Sequence, residues 1–281
     1  MNIKKAKHAL RQFFASIKTK NIVPIQQITD QNGILNNRVA LITGGSGGIG
    51  KAIAKSFLDS KCKVIIAGTN QSKLESCVNE LAEFGEVKYC IINLKDINNL
   101  INQMDEAIKL FGRIDILVNS AGVHSTKEMT SFLNTTPDEY DNIMNINLKG
   151  TYFASQWISK YWISEQIHGH ILNISSSTGG EPAWSAYRLS KLGIEGLTKG
   201  LAQVLSPYGI VVNGIAPGST ATALLDYKKG DTIATTDNAV GRYVLPIEVA
   251  SYAKMLVSDL GNMICGDTLY ISGGRGVWDI R

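Results

Sequence analysis

RVALITGGSGGIGKAIAKSFLDS, residues 38 to 60, decides the fold. RVALIT is a short β-branched and aliphatic run, the composition of a buried strand. Glycines follow at once, and then Ile49, Ile53 and Phe57 recur at helical spacing. A strand, a glycine turn and a helix in that order open a βαβ unit. Glycines there let the backbone turn sharply and come close to a ligand. The N–H groups and dipole of the following helix favour a pyrophosphate. A glycine-rich turn that binds nothing is the alternative, and the strand-to-helix setting argues against it. The spacing T-G-x-x-x-G-x-G places Gly44, Gly48 and Gly50 on the turn, with Ser46 and Ile49 among them.

Outward from this unit the rhythm repeats. KVIIAG (63–68), YCIINL (89–94), IDILVNSAG (114–122), HILNISS (170–176), GIVVNGIAPG (209–218) and DTLYISGG (267–274) read as further strands. Helical patterns lie between them at 72–83, 97–112, 138–164, 185–206 and 247–260. Strands alternating with helices of this length imply right-handed crossovers and a parallel sheet covered on both faces. The expected fold is α/β: a Rossmann-type doubly wound parallel sheet of about seven strands with helices on both faces. Residues 38–281 read as one domain and residues 1–37 as an N-terminal extension.

The chain has 281 residues, 44 % apolar and 19 % charged, ample for a sizeable core and unlike a disordered composition. No apolar run is long enough to span a bilayer, and no signal-peptide pattern follows the basic N-terminus. The formal charge of +4 misleads, because Lys4, Lys5, Lys7, Arg11, Lys18 and Lys20 stand in the first 20 residues without an acid among them. The remaining 22 basic residues face 24 acidic ones, so the body is nearly neutral and carries no nucleic-acid footprint. Cys62, Cys77, Cys90 and Cys265 form no C-x-x-C pair, and His8, His124, His168 and His170 have no ligand-like spacing. Free thiols in a reducing cytoplasm and no metal are the expectation. In the extension, Ile3, Leu10, Phe13, Phe14 and Ile17 recur at roughly helical spacing among lysines. That helix would dock on the body or a partner subunit, or rest on an anionic membrane surface.

SAYRLSK, residues 185–191, places Tyr187 and Lys191 one helical turn apart. Free tyrosine and lysine titrate near pH ~10, so the pair is either surface decoration or a base and the group that tunes it. Cofactor choice should be legible at the end of the second strand, where an acid would bond the ribose hydroxyls of NAD and a basic residue would meet the 2′-phosphate of NADP. The segment AGTNQSK offers neutral Thr69 and Asn70, with Lys73 nearby. Absence of the acid tilts the choice toward NADP(H) over NAD(H).

TGGSGGIG, NSAG, a strand ending in ISS, YRLSK and VNGIAPG occur in this order, and over residues 38 to about 276 the chain resembles the short-chain dehydrogenase/reductase family. The resemblance implies a catalytic set of Asn147, Ser176, Tyr187 and Lys191. It implies cofactor contacts at Gly44, Ser46, Gly48, Ile49, Gly50, Thr69, Asn93, Leu94, Asn119, Ala121, Gly122, Tyr187, Lys191, Pro217, Gly218 and Thr222. Ser120 replaces the second asparagine of the family's N-N-A-G. Only eleven residues separate Ser176 from Tyr187, so Ser175 and Ser177 stay in play, and Gly179 favours Ser176. In this scheme the Lys191 ammonium lowers the phenol pKa, and Tyr187 acts as general acid and base. Ser176 stabilises charge on the carbonyl oxygen. Asn147 holds a water beside Lys191, and the cofactor carries the hydride.

The implied activity is interconversion of a ketone and a secondary alcohol, 3-oxoacyl reduction among the options. A cofactor-binding sensor or scaffold without turnover is the second hypothesis. Residues 219–246 have little regular pattern and read as a lid. Leu224, Leu225 and Tyr227 could line a pocket or pack the lid, and Trp184 and Glu181 could touch substrate. The resemblance also implies a homodimer or homotetramer.

Overall fold

The computed structural model describes residues 33–124, 131–225, 227–228 and 230–277. The amphipathic pattern of the extension and the closing residues 278–281 lie outside the described residues.

Seven strands form one parallel sheet in the order β3-β2-β1-β4-β5-β6-β7. They are β1 (Val39–Thr43), β2 (Lys63–Gly68), β3 (Val87–Ile91), β4 (Ile116–Asn119), β5 (His170–Ile174), β6 (Val211–Pro217) and β7 (Thr268–Ile271). Side chains alternate across the sheet. Ala40, Ile42, Val64, Ile66, Ile116 and Val118 feed one core, while Val39, Leu41, Ile65, Ala67 and Leu117 feed the other. Helices α1 (Gly48–Leu58), α2 (Gln71–Leu81) and α7 (Pro246–Leu256) cover the first face through residues such as Phe57, Leu74 and Val249. Helices α3 (Ile97–Phe111), α5 (Thr151–Glu165) and α6 (Ala186–Leu205) cover the second through Met104, Trp162 and Ala202. Both faces are dry, which is why the strands read as continuous apolar runs rather than alternating ones. The core reaches back to Ile34 and the fully buried Leu35, ahead of the first strand.

Local chemistry sets the helix starts. The side chains of Asn70, Asp96, Thr136 and Ser185 accept hydrogen bonds from the backbone N–H three residues on, capping α2, α3, α4 (Pro137–Met144) and α6. The expected single helix over 138–164 is interrupted. Between α4 and α5 the residues Asn145–Gly150 wind as a π-helical segment. Periodicity near 3.6 does not reveal one inserted residue, and such bulges concentrate at functional sites.

The chain order reverses between β1 and β4. Connections from β1 run outward to β2 and β3, and then cross back to β4 on the other side. A crevice therefore opens at the carboxyl ends of β1 and β4, the place where such sheets bind ligands. All four cysteines are free; Cys62 and Cys77 are buried, whereas Cys265 is exposed. No helix among the described residues is long and apolar enough to cross a membrane.

Candidate active site

The crevice is walled on one side by the glycine turn. Gly44 has φ +66°, and a Cβ there would stand 2.7 Å from the Ala121 Cα. A Cβ on Gly50 would drive into the Gly44 carbonyl oxygen. Helix α1 starts after Gly47 without a side-chain cap and with no acid in its first turn. Its first N–H groups thus lack a side-chain acceptor and suit a pyrophosphate. Such a turn, free of Cβ atoms at its tightest points and ending on an uncapped helix, fits a dinucleotide. Thr69 is exposed at the end of β2, and the Asn70 side-chain oxygen is taken by the Lys73 N–H at 2.9 Å.

The β4 loop is tied to this wall through Thr43. Its hydroxyl donates to the Val118 carbonyl at 3.4 Å and accepts from the Ser120 and Ala121 N–H groups at 3.2 and 3.3 Å. Asn119 lies behind the loop rather than in the crevice: its amide donates to Ser155 and to Asn173. Leu94 is likewise buried in the core, and Asn93 caps its own turn by accepting from the Lys95 N–H. These residues shape the cleft from beneath.

Asn147 sits in the π-helical segment. Its side-chain oxygen accepts from the Val123 N–H at 2.8 Å, and its amide donates to the Val123 carbonyl and to Ser190 at 3.0 and 3.1 Å. The side chain thereby clips the 119–124 loop to α6, a role the sequence reading did not anticipate. A Cβ on Gly122 would lie 3.5 Å from the Asn147 oxygen and 3.6 Å from Lys191 Nζ, so the three meet at one point.

The three serines after β5 separate by their partners. Ser175 is buried, and its hydroxyl donates to the Lys191 carbonyl at 3.0 Å. Ser177 is also buried. The half-buried Ser176 accepts from the Thr178 N–H at 3.3 Å and from the Thr178 hydroxyl at 3.0 Å. A hydroxyl with both lone pairs engaged has its proton left to donate.

Helix α6 brings Tyr187 beside Ser176, whose hydroxyl bonds the phenol. Lys191 is buried, and its Nζ donates to the Ile174 carbonyl at 2.9 Å, 5.7 Å from the centre of the Tyr187 ring. Burial lowers its pKa to about 8. The expectation for Tyr187 was a lowered pKa. Instead burial pushes the phenol up, while a hydrogen bond from Ser176 and the charge of Arg275 pull it back. The Lys191 ammonium is drawn toward the Ile174 carbonyl, and desolvation of the phenol is the larger effect.

Tyr187 and the three serines border a cavity of about 370 Å³ that also takes in Ile49, Pro217, Gly218 and Thr222 from the expected cofactor set. Residues 219–246 contain one short 3₁₀ turn, Ala223–Leu225, and two isolated bridges among the described residues. Leu224 and Leu225 are exposed and line the cavity. Tyr227 instead packs edge-on against Tyr243 and bonds the Asp231 carbonyl. Trp184 lines the cavity, and Arg188 lies over its ring with the guanidinium carbon 4.7 Å from the centroid. The lining residues missed in the sequence include His124, whose ring is 4.4 Å from that of Tyr187, Arg188 and Arg275. Arg188 adjoins Tyr187 in the motif itself, but nothing in the sequence connects position 275 to position 187.

The profile described as short chain dehydrogenase matches residues 38–232. A 3alpha-hydroxysteroid dehydrogenase of Mediterraneibacter gnavus is 35 % identical over 252 residues, which cover 85 % of this chain and 97 % of that protein. Among solved structures, a 3-oxoacyl-[acyl-carrier protein] reductase with bound NAD from Brucella melitensis superposes with TM-score 0.77 at 27 % identity, covering 91 % of this chain and 99 % of the other. A short chain dehydrogenase from Burkholderia cenocepacia in complex with NADP gives TM-score 0.76 at 29 % identity, with coverages of 86 % and 99 %. The profile runs from the first strand past the serine turn and the Tyr187 helix into the 219–246 segment, more than half of the chain, and the chain therefore belongs to the short chain dehydrogenase family.

Proposed function

We propose that this chain is an NAD(P)-dependent oxidoreductase that interconverts a ketone and a secondary alcohol. The observation that carries the reading is the meeting of Ser176 and Tyr187 at one cavity beside a glycine turn fitted to a dinucleotide, with Lys191 buried one helical turn behind the phenol. The nicotinamide supplies or accepts the hydride when bound. Tyr187 gives its proton to the carbonyl oxygen during reduction and takes it back during oxidation. Ser176, its lone pairs held by Thr178, donates to the same oxygen and stabilises the charge that develops there. Lys191 keeps a positive charge beneath the phenol, and Asn147 holds the loop that closes over it. A non-catalytic sensor would have no use for this set of groups.

NADP(H) is the favoured cofactor, because the end of β2 presents neutral Thr69 and no carboxylate to repel a 2′-phosphate. Glycine turn, Thr69 and the 217–222 segment form the cofactor side, and Lys73 is the nearest cation in sequence. The substrate is a small carbonyl or alcohol compound. The body from about residue 38 acts as one catalytic domain, and the free cysteines fit a reducing cytoplasm. Exposed Tyr140, Tyr152, Leu189 and Leu192 on the α4–α6 side fit a homodimer or homotetramer.

The test is cofactor absorbance during turnover, with NADPH and NADH in parallel, against ketones, aldehydes, 3-oxoacyl thioesters, keto-steroids and oxo acids. Oxidation of NADPH with one carbonyl class is the expected result. Cofactor binding with no turnover of any class would return the chain to the sensor reading, and preference for NADH would reverse the cofactor assignment.

A further inference from the structure

One part of the cavity wall is rich in arginine. Arg188 and Arg275 both line it. One carboxylate holds the two guanidiniums: Glu181 Oε2 is 2.7 Å from Arg188 Nη1, and Glu181 Oε1 is 2.8 Å from Arg275 Nε. Glu181 is not itself among the lining residues, so of the charged groups that line the cavity two are the guanidiniums of Arg188 and Arg275 and one is the carboxylate of Asp237. Arg188 is further fixed by the Pro182 carbonyl at 3.2 Å and by the Trp184 ring. Arg275 is further fixed by the Ser219 hydroxyl, 3.1 Å from Nη1. Among the described residues its Nη2 has no hydrogen-bond partner.

The competing anion is Asp237. Its oxygen is 3.7 Å from Arg275 Nη1, beyond hydrogen-bond length, and accepts instead from Ser219 at 2.8 Å. The Asp237 side chain is 45 % exposed, so its pull on the guanidinium is screened by water. Arg188 and Arg275, by contrast, are only 9 % and 21 % exposed, where a charge-assisted hydrogen bond is strong. A guanidinium held in place by a second carboxylate has already lost its side-chain freedom, which lowers the cost of binding.

Resting on the oxidoreductase reading above, we propose that the substrate is a carbonyl compound bearing a carboxylate, and that Arg275, steadied by Glu181 and seconded by Arg188, binds that carboxylate while the carbonyl faces Ser176 and Tyr187. Arg275 is thus a specificity-determining residue. Leu224, Leu225 and Trp184 supply the apolar wall for the carbon chain between the two polar ends.

The experiment compares oxo acids of increasing length, from 2-oxobutanoate to 6-oxoheptanoate, with their methyl esters. Dissociation constants for the full chain saturated with NADP⁺ are measured by calorimetry, alongside kcat/KM with NADPH. The acid should bind at least tenfold more tightly than its ester at one chain length. Arg275→Met should bring that ratio close to one, Arg275→Lys should keep part of it, and Asp237→Asn should increase it; unchanged melting temperatures establish that the variants fold. Equal binding of acid and ester by the unaltered chain, or a ratio that Arg275→Met leaves intact, overturns the proposal. Absence of turnover with acid-selective binding retained would count against the oxidoreductase reading alone, because the calorimetric ratio reads the anion site without chemistry.

Discussion

The two walls of the crevice are built by opposite means. The cofactor wall is backbone against backbone: Gly44 packs on Ala121, Gly50 on Gly44, and Thr43 ties the β4 loop by three hydrogen bonds. Its glycine turn lies within eight consecutive residues. The substrate wall is side chain against side chain. Glu181, Arg188, Ser219, Asp237 and Arg275 come from five separate places in the chain and meet through ion pairs and hydroxyls. A Cβ added to the first wall collides with main chain that cannot give way. A substitution in the second changes charge at the cavity wall and leaves the sheet alone. One wall is thus suited to hold a constant ligand and the other to vary with substrate.

Between the walls stands Tyr187, and removing its hydroxyl should give the largest effect. Tyr187→Phe should lower turnover by roughly 10²–10⁴-fold, the usual worth of a positioned acid/base, with cofactor affinity changed little. Near-normal turnover by this variant, measured by cofactor absorbance, would remove Tyr187 from the chemistry.

A blow to the cofactor wall should be smaller and of another kind. Gly50→Ala places a Cβ against the Gly44 carbonyl. Overpacking of this sort costs about 1–3 kcal/mol, so cofactor affinity should weaken roughly tenfold to a hundredfold. Titration of NADPH fluorescence would show it. Unaltered affinity would mean that the turn opens without cost and that the contrast with the substrate wall is overdrawn.

The mildest probe is pH, acting through Lys191. Burial lowers its pKa to about 8, so the ammonium is present below that value and is lost above it. Reduction measured as kcat/KM should have fallen by half near pH 8, and Lys191→Met should abolish the inflection. Stability runs the other way. Between about 8 and the ordinary 10.5 the folded chain holds fewer protons at this site than the unfolded chain, so this group makes the fold more stable as pH rises. A falling rate with a steady or rising melting temperature would therefore separate loss of charge from unfolding, and a flat profile from pH 7 to 10 would take Lys191 out of the mechanism.

Much of this was legible in the sequence because the signals are local. Strand β1, the glycine turn and helix α1 follow from one run of residues, since buried parallel strands are continuously apolar and only glycine fits the turn. Tyr187 and Lys191 share a face by helical spacing alone. Among three neighbouring serines the sequence favours Ser176 only through Gly179, because what separates the hydroxyls is which meets the Lys191 carbonyl and which meets Thr178. The π-helical segment was invisible to a 3.6-residue period, and with it the clip that Asn147 makes to Val123.

By itself, then, the order of residues determined the doubly wound sheet, its glycine turn and the helix that carries Tyr187 and Lys191, because each is fixed by contacts between near neighbours in the chain. Tertiary structure alone decided the direction of the Tyr187 shift and the pair of arginines that lines the same cavity. A pKa follows the water and charge around a group once the chain has closed. Arg275, 88 residues beyond Tyr187, acquires its place only when the segment after β7 returns to the cavity and Glu181 holds it there.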